Sequence, residues 1–345
     1  MKGRVLGILL AAGMLAVSLT GCARESSETV ADSSGDGYQK IELVMAVNGT
    51  DIQIDTRVAD KFAELVAEET GGNVTISVFP NDQLAGGNAS KGIEMIAGGG
   101  VDLAAYATSV LSVIDRQLSV GIIPWSFDDY EEARQVIDST GGAYYAERLE
   151  QKGLTYLGSF HNGFRQLTNH QHEVRSPEDM KGLKIRVPGT EAYMGVFREL
   201  GADPTSMSWS EVFTALQQKT IDGQENGISI TASAKMPEVQ KYLTLWNYAY
   251  DSDLIIANTK VWESLEPKTR EMLEEKALEA CEWGRDLLEE EEELLLEEFK
   301  AEGMTVTELT EEELQAFKDA VAGFRNELID SYGEEACAAF QIEKE

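Results

Sequence analysis

The run Gly182-Leu183-Lys184-Ile185-Arg186-Val187-Pro188 constrains this chain more than any other segment. Its apolar and polar residues alternate, so Lys184 to Val187 reads as a strand with one face in a core. The strand carries a permanently charged guanidinium at Arg186. Elsewhere acids dominate: 29 Lys and Arg stand against 61 Asp and Glu, a formal charge of −32. An arginine inside a half-buried strand, beside Pro188 and Gly189, is costly unless an anion meets it. A protein carboxylate and a ligand carboxylate both satisfy that need, and the choice between them decides the protein's role.

The N-terminus reads as an export signal. Lys2 and Arg4 form a charged start, Val5 to Val17 is apolar but short for a membrane span, and Leu19-Thr20-Gly21-Cys22 follows. Small residues before a cysteine at this place resemble the lipobox of bacterial lipoproteins, with Cys22 as the lipidated residue. Ala23 to Gly37 lacks large apolar residues and reads as a flexible tether. The acidic balance argues against a nucleic-acid partner. It also repels anionic ligands at long range, but at physiological salt the Debye length is about 8 Å, so charge within a cleft dominates. Cys281 and Cys337 stand in predicted helices without metal-ligand spacing; free buried thiols are the default reading, and an oxidising exterior also allows a disulfide.

After the tether the pattern is mixed α/β. Strands are expected at Ile41 to Val47, Val74 to Phe79, Leu103 to Tyr106, Leu154 to Ser159, Phe164 to Leu167, Lys184 to Val187, Gly223 to Asn226, Asp253 to Ala257 and Met304 to Leu309. Helices are expected at Thr56 to Glu69, Ser90 to Ala97, Asp129 to about Lys152 with a break near Gly141-Gly142, Ser208 to Gln218 behind a capping box, and Pro267 to Glu302. Thr310 and Glu313 cap a final helix. The run Glu289 to Glu293 reads as a solvated face rather than a calcium site, because one helix cannot wrap carboxylates around an ion.

No nucleophile elbow, His-Glu-x-x-His or phosphate loop is present, and neither a cofactor nor a metal is expected. His161, His170 and His172 read as a polar surface loop between strands. A lipid-anchored hydrolase therefore lacks its motif. Arg165, Arg186, Asn226 and Trp209 form a different set: two guanidiniums, an amide and an aromatic plane suit a small carboxylate ligand. Taken one at a time, each also has a structural use in a surface pair, a turn or the core.

The runs Lys181 to Pro188, Ser210 to Gln217 and Asp222 to Asn226 resemble the substrate-binding proteins of TRAP transporters, the DctP-like family. So do Phe79-Pro80-Asn81-Asp82-Gln83-Leu84 and Glu238 to Leu243, in order, across Tyr38 to Glu345. The resemblance implies an α/β, two-lobed periplasmic-binding-protein-like fold with a hinge and a long C-terminal bridging helix. Domain I is expected at 38–162 plus 252–290 and domain II at 163–251 plus 291–345. It implies an extracytoplasmic, monomeric binding protein, not an enzyme, that carries an organic acid to a membrane permease; a sensor of the same fold is the alternative. By resemblance Arg186 bridges the ligand carboxylate, Arg165 adds a second contact, Asn226 helps hold the carboxylate and Trp209 lies over the ligand. Asn48 and Tyr248 match positions that line the cleft in some members, and Tyr106 lies in the segment that tunes specificity.

Overall fold

A computed structural model describes residues 37–344. The export signal, Cys22 and all of the tether but Gly37 lie outside the described residues. Four strands open the chain: β1 (Ile41–Val47), β2 (Val74–Phe79), β3 (Leu103–Ala107) and β4 (Leu154–Phe164). Five follow as β5 (Gln166–Asn169), β6 (Lys184–Val187), β7 (Asp203–Ser206), β8 (Gly223–Asn226) and β9 (Tyr242–Leu245). The last two are β10 (Tyr250–Asn258) and β11 (Thr305–Glu308).

They build two sheets. The first has the order β2-β1-β3-β10-β4, with β1 parallel to β2 and β3, and β10 antiparallel to both of its neighbours. The second has the order β11-β9-β5-β8-β6-β7. The chain passes from the first sheet to the second between β4 and β5, where Arg165 alone separates the strands, and returns between β9 and β10. These adjacent crossings make a two-lobed molecule with a hinge.

The helix Pro267–Ala301 bridges the lobes. Proline at its first turn fits because that position needs no N–H partner. Its buried residues Met272, Leu273, Ala277, Ala280, Cys281, Gly284 and Leu288 recur every three or four positions, which gives one apolar face. This half packs on β4 and the helix Ile54–Glu69; the far half meets the helix Ile228–Ser233 and β11. Gly284 permits the close approach, since a Cβ there would stand 2.3 Å from Val58 Cγ2.

Several local expectations change in three dimensions. The break near Gly141-Gly142 is a π-helical turn, Ile137–Gly141, joining Tyr130–Val136 to Gly142–Glu150. The helix capped by Thr310 is Glu311–Tyr332, and Glu334–Ala339 follows it. The acid run is solvated only in part: Glu290 and Glu293 are exposed, while its other members have partners. Arg57 holds Glu291 through two bonds of 2.7 and 2.9 Å, Tyr130 donates to Glu292 at 2.8 Å, and Glu289 meets His161 at 3.1 Å. His161 is no loop residue: it lies inside β4, fully buried, with Tyr250 Oη 2.8 Å from Nδ1. His170 and His172 do follow β5 in a loop. Cys281 and Cys337 are free thiols, both buried.

Candidate functional site

The crease between the lobes closes on a small pocket with a free volume of ≈ 310 Å³. Asn48, Gln53, Ala107, Ser109, Val110 and Asn162 enter from the first lobe. Arg186, Pro188, Trp209, Asn226 and Ile230 enter from the second, and Arg165 comes from the crossing itself. Beside this pocket Trp209 Nε1 donates across the crease to Gln53 Oε1 at 3.2 Å, and Ser210 Oγ donates to the Gly87 carbonyl at 3.1 Å. A wider cavity of ≈ 1210 Å³ lies beside the helix Glu334–Ala339. Its one cation, Lys344, is exposed and paired with Asp330 at 2.5 Å, so size alone does not mark a site for an acid.

Local rules position the second lobe's contribution. β6 runs parallel to both β7 and β8, pairing Arg186 with Thr205 and Gln224 and fixing the direction of its side chain. The capping box of Ser208 and Glu211 starts the helix Trp209–Gln217 and holds Trp209 at its first position. The Arg186 guanidinium then lies 5.4 Å from the Trp209 ring centroid. Arg186 is 5% exposed. Its Nε and Nη2 both donate to the Met207 carbonyl, at 3.1 and 2.9 Å. Among the described residues no carboxylate forms an ion pair with it. Burial consequently pushes its guanidinium down to about 10, with Glu225 opposing the shift and Arg165 adding to it.

Arg165 is equally buried and differently served. Its Nε and Nη2 grip the Glu225 carboxylate at 2.6 and 2.9 Å. Nη2 also donates to the Glu225 carbonyl at 3.0 Å, and Nη1 to Asn162 Oδ1 at 3.2 Å. Burial disfavours this charge too, but Glu225 outweighs it and holds the guanidinium well above its ordinary value. Tyr248 donates to the same Glu225 carboxylate at 2.6 Å.

Five of the seven residues expected at the site therefore converge: Arg186, Arg165, Asn226, Trp209 and Asn48. Two do not reach the pocket. Tyr248 stands behind Glu225, fully buried. Tyr106 stands behind Asn48, where its hydroxyl donates to Asp82 at 2.6 Å. Sequence reasoning missed Gln53, Ser109 and the partner Glu225. Glu225 carried one usable signal, an acid inside a strand buried at all four positions. Among the described residues no group of His, Cys, Asp and Glu is arranged to hold a metal ion.

Two lobes on a hinge, with a buried and incompletely satisfied guanidinium in the crease, define a binding protein for small anions. The chain matches the family described as "Bacterial extracellular solute-binding protein, family 7" (DctP) over residues 45–330, and it belongs to that family of TRAP-type substrate-binding proteins. It is 34% identical over 263 residues to the 2,3-diketo-L-gulonate-binding periplasmic protein YiaO of Escherichia coli, covering 76% of this chain and 79% of the relative. It is 33% identical over 258 residues to the C4-dicarboxylate-binding protein DctB of Bacillus subtilis, covering 74% and 73%. It also superposes on a TRAP periplasmic solute-binding protein from Ralstonia eutropha with bound (S)-2-acetolactate. The TM-score is 0.84 at 30% identity, over 87% of this chain and 98% of that one. Family members are extracytoplasmic binding proteins that serve transport.

Proposed function

We propose that this protein captures a small organic acid outside the cytoplasm, holds its carboxylate on Arg186, and delivers it to a TRAP-type membrane permease. One observation carries the reading: of the two buried arginines in the pocket, only Arg186 lacks a carboxylate partner among the described residues. The relatives support the ligand class, since the names of all three specify organic acids. Asn226 and Trp209 flank the anchor, and Arg165 orients Asn162 on the opposite wall. The lobes follow the two sheets, with domain I at 38–162 plus 252–290 and domain II at 163–251 plus 291–345. Closure of the lobes lowers the dielectric around the ion pair and strengthens it.

Among the described residues no helix is long and apolar enough to cross a membrane. A diacylated Cys22 would instead anchor a monomer by its lipid, leaving the tether to give the lobes reach. Calorimetry tests the anchor. Arg186→Ala is expected to weaken binding by about 2–5 kcal/mol, because the ligand carboxylate would be buried unpaired. Arg186→Lys is expected to weaken it less, since an ammonium lacks the planar fork. Wild-type affinity in both variants excludes this role.

A further inference from the structure

The charge and the hydrogen-bonding polarity of the pocket narrow the acid further; this step rests on Arg186 as the carboxylate anchor. Two charged side chains line the pocket, Arg186 and Arg165. Arg165 is already met by Glu225 at 2.6 Å and by Asp251 at 3.5 Å. A single uncompensated positive charge therefore faces a guest. Lys235 lies outside this pocket, in an adjoining groove on the other side of Asn48 and Trp209.

The first-lobe wall opposite Arg186 is neutral, and acids back it. Asn48 Nδ2 donates to the Asp82 carboxylate, whose other oxygen accepts from Tyr106. Asn162 Nδ2 donates to Asp253 at 3.1 Å. Asp55 stands behind the same wall, accepting from the Gly49 and Thr56 amides at 2.8 Å each. Each of these carboxyl groups accepts an N–H here, whereas an amide offers one end of each kind. Asp82 and Asp253 thus turn the N–H ends of Asn48 and Asn162 away from the pocket and leave their carbonyl ends. Arg165 Nη1 takes the Asn162 oxygen at 3.2 Å. The Asn48 oxygen makes no hydrogen bond to the described residues and remains an acceptor at the pocket wall. Gln53 shows the converse: its oxygen accepts from Trp209, so its N–H₂ is the end left to donate. Ser109 adds a hydroxyl that does both.

A second carboxylate on this wall would find only the neutral donors of Gln53 and Ser109, beside the Asn48 acceptor oxygen, with acids behind the wall and no uncompensated cation. A hydroxyl group would donate to Asn48 and accept from Gln53. We infer that the ligand is a hydroxylated monocarboxylate, with its one carboxylate on Arg186 and hydroxyl groups on Asn48, Gln53 and Ser109, and that dicarboxylates are rejected.

Calorimetric titration of the wild-type protein at pH 7.5 with acids of matched carbon number tests this. D-erythronate is set against L-tartrate and butyrate, and D-gluconate against D-glucarate. At least one hydroxy monocarboxylate is expected to bind about tenfold or more tighter than its dicarboxylate partner. Butyrate is expected to fall about 10–100-fold below erythronate, because it leaves the wall's polar groups unpaired. Equal or tighter dicarboxylate binding, butyrate matching erythronate, or saturation by neither hydroxy monocarboxylate overturns the inference. Asn48→Ala is expected to remove most of the gap between erythronate and butyrate; an undiminished gap also counts against it. Arg186→Ala, titrated with whichever acid binds, separates the two levels. A dicarboxylate that wins but is lost in Arg186→Ala refutes the ligand class and spares the anchor, whereas affinity that survives Arg186→Ala refutes the anchor.

Discussion

Arg165 and Arg186 line one pocket, and their surroundings treat them in opposite ways. Arg165, at the crossing between the sheets, meets Glu225 with two parallel hydrogen bonds, and Tyr248 braces the same carboxylate. Arg186, in the middle of β6, has one carbonyl and the face of an indole. A charge whose counter-ion belongs to the chain holds structure together. A charge left without one keeps its binding capacity for something else, and the folded state bears the cost. The Arg186 guanidinium at about 10, against an ordinary 12.5, corresponds to roughly 3 kcal/mol of disfavoured charge.

The contrast breaks most sharply at Arg165. Arg165→Ala leaves Glu225 buried and unpaired, so the unfolding free energy is expected to fall by about 3–5 kcal/mol. Urea denaturation checks it, and a loss below about 1 kcal/mol would remove the structural half of the comparison. Arg186→Leu should do the reverse when no ligand is present, holding stability level or raising it by up to about 3 kcal/mol while ligand affinity falls. A lower melting temperature in that variant would mean that Arg186 is also structural. A smaller effect belongs to Trp209. Removing its ring in Trp209→Ala is expected to weaken binding by about 1 kcal/mol, chiefly by loosening the hold on Arg186; calorimetry that finds no change would free Arg186 from this support.

The mildest effect lies on the bridging helix, away from the pocket. Burial pushes the Glu292 carboxyl up to about 7 despite the Tyr130 hydrogen bond, with Glu289 adding to the shift. Asp55 is raised to about 7 as well, again first by burial. The folded protein therefore holds these protons more tightly than the unfolded chain. Their contribution to stability is largest in acid and declines as pH rises from the ordinary carboxylate range through 7. Glu292→Gln is expected to flatten that decline between pH 5 and 8 in denaturant titrations. An identical slope in variant and wild type would show that Glu292 ionises freely.

What could be read in advance was local. β6 and β8 begin and end where alternation and the flanking turns predict, and the Ser208 capping box places Trp209 at its helix start. Three of the pocket's residues, Arg186, Asn226 and Trp209, follow from those short-range rules. The Arg165–Glu225 pair does not, because it depends on β5 lying antiparallel to β8, which sets Leu167 opposite Glu225. Nor do Tyr106 and Tyr248, whose distance from the pocket is set by Asp82 and Glu225 standing in front of them. His161 reads as part of a polar loop, but β4 continues through it and β10 covers it. The acid run is solvent-facing at Glu290 and Glu293, but the helix lies across both lobes and brings Glu291 and Glu292 onto Arg57 and Tyr130. Pairings over such distances in the chain are set by topology, and a single sequence with 61 acids offers many candidate partners for each arginine.

The most direct test of the claim is the distance from the ligand's carboxylate to each arginine in a crystal structure of the complex with a bound acid. Hydrogen-bond distance to the Arg186 guanidinium, with Glu225 still gripping Arg165, is the expected result. A carboxylate seated on Arg165 with Glu225 displaced, or Arg186 swung onto an acid of the protein itself, would contradict it.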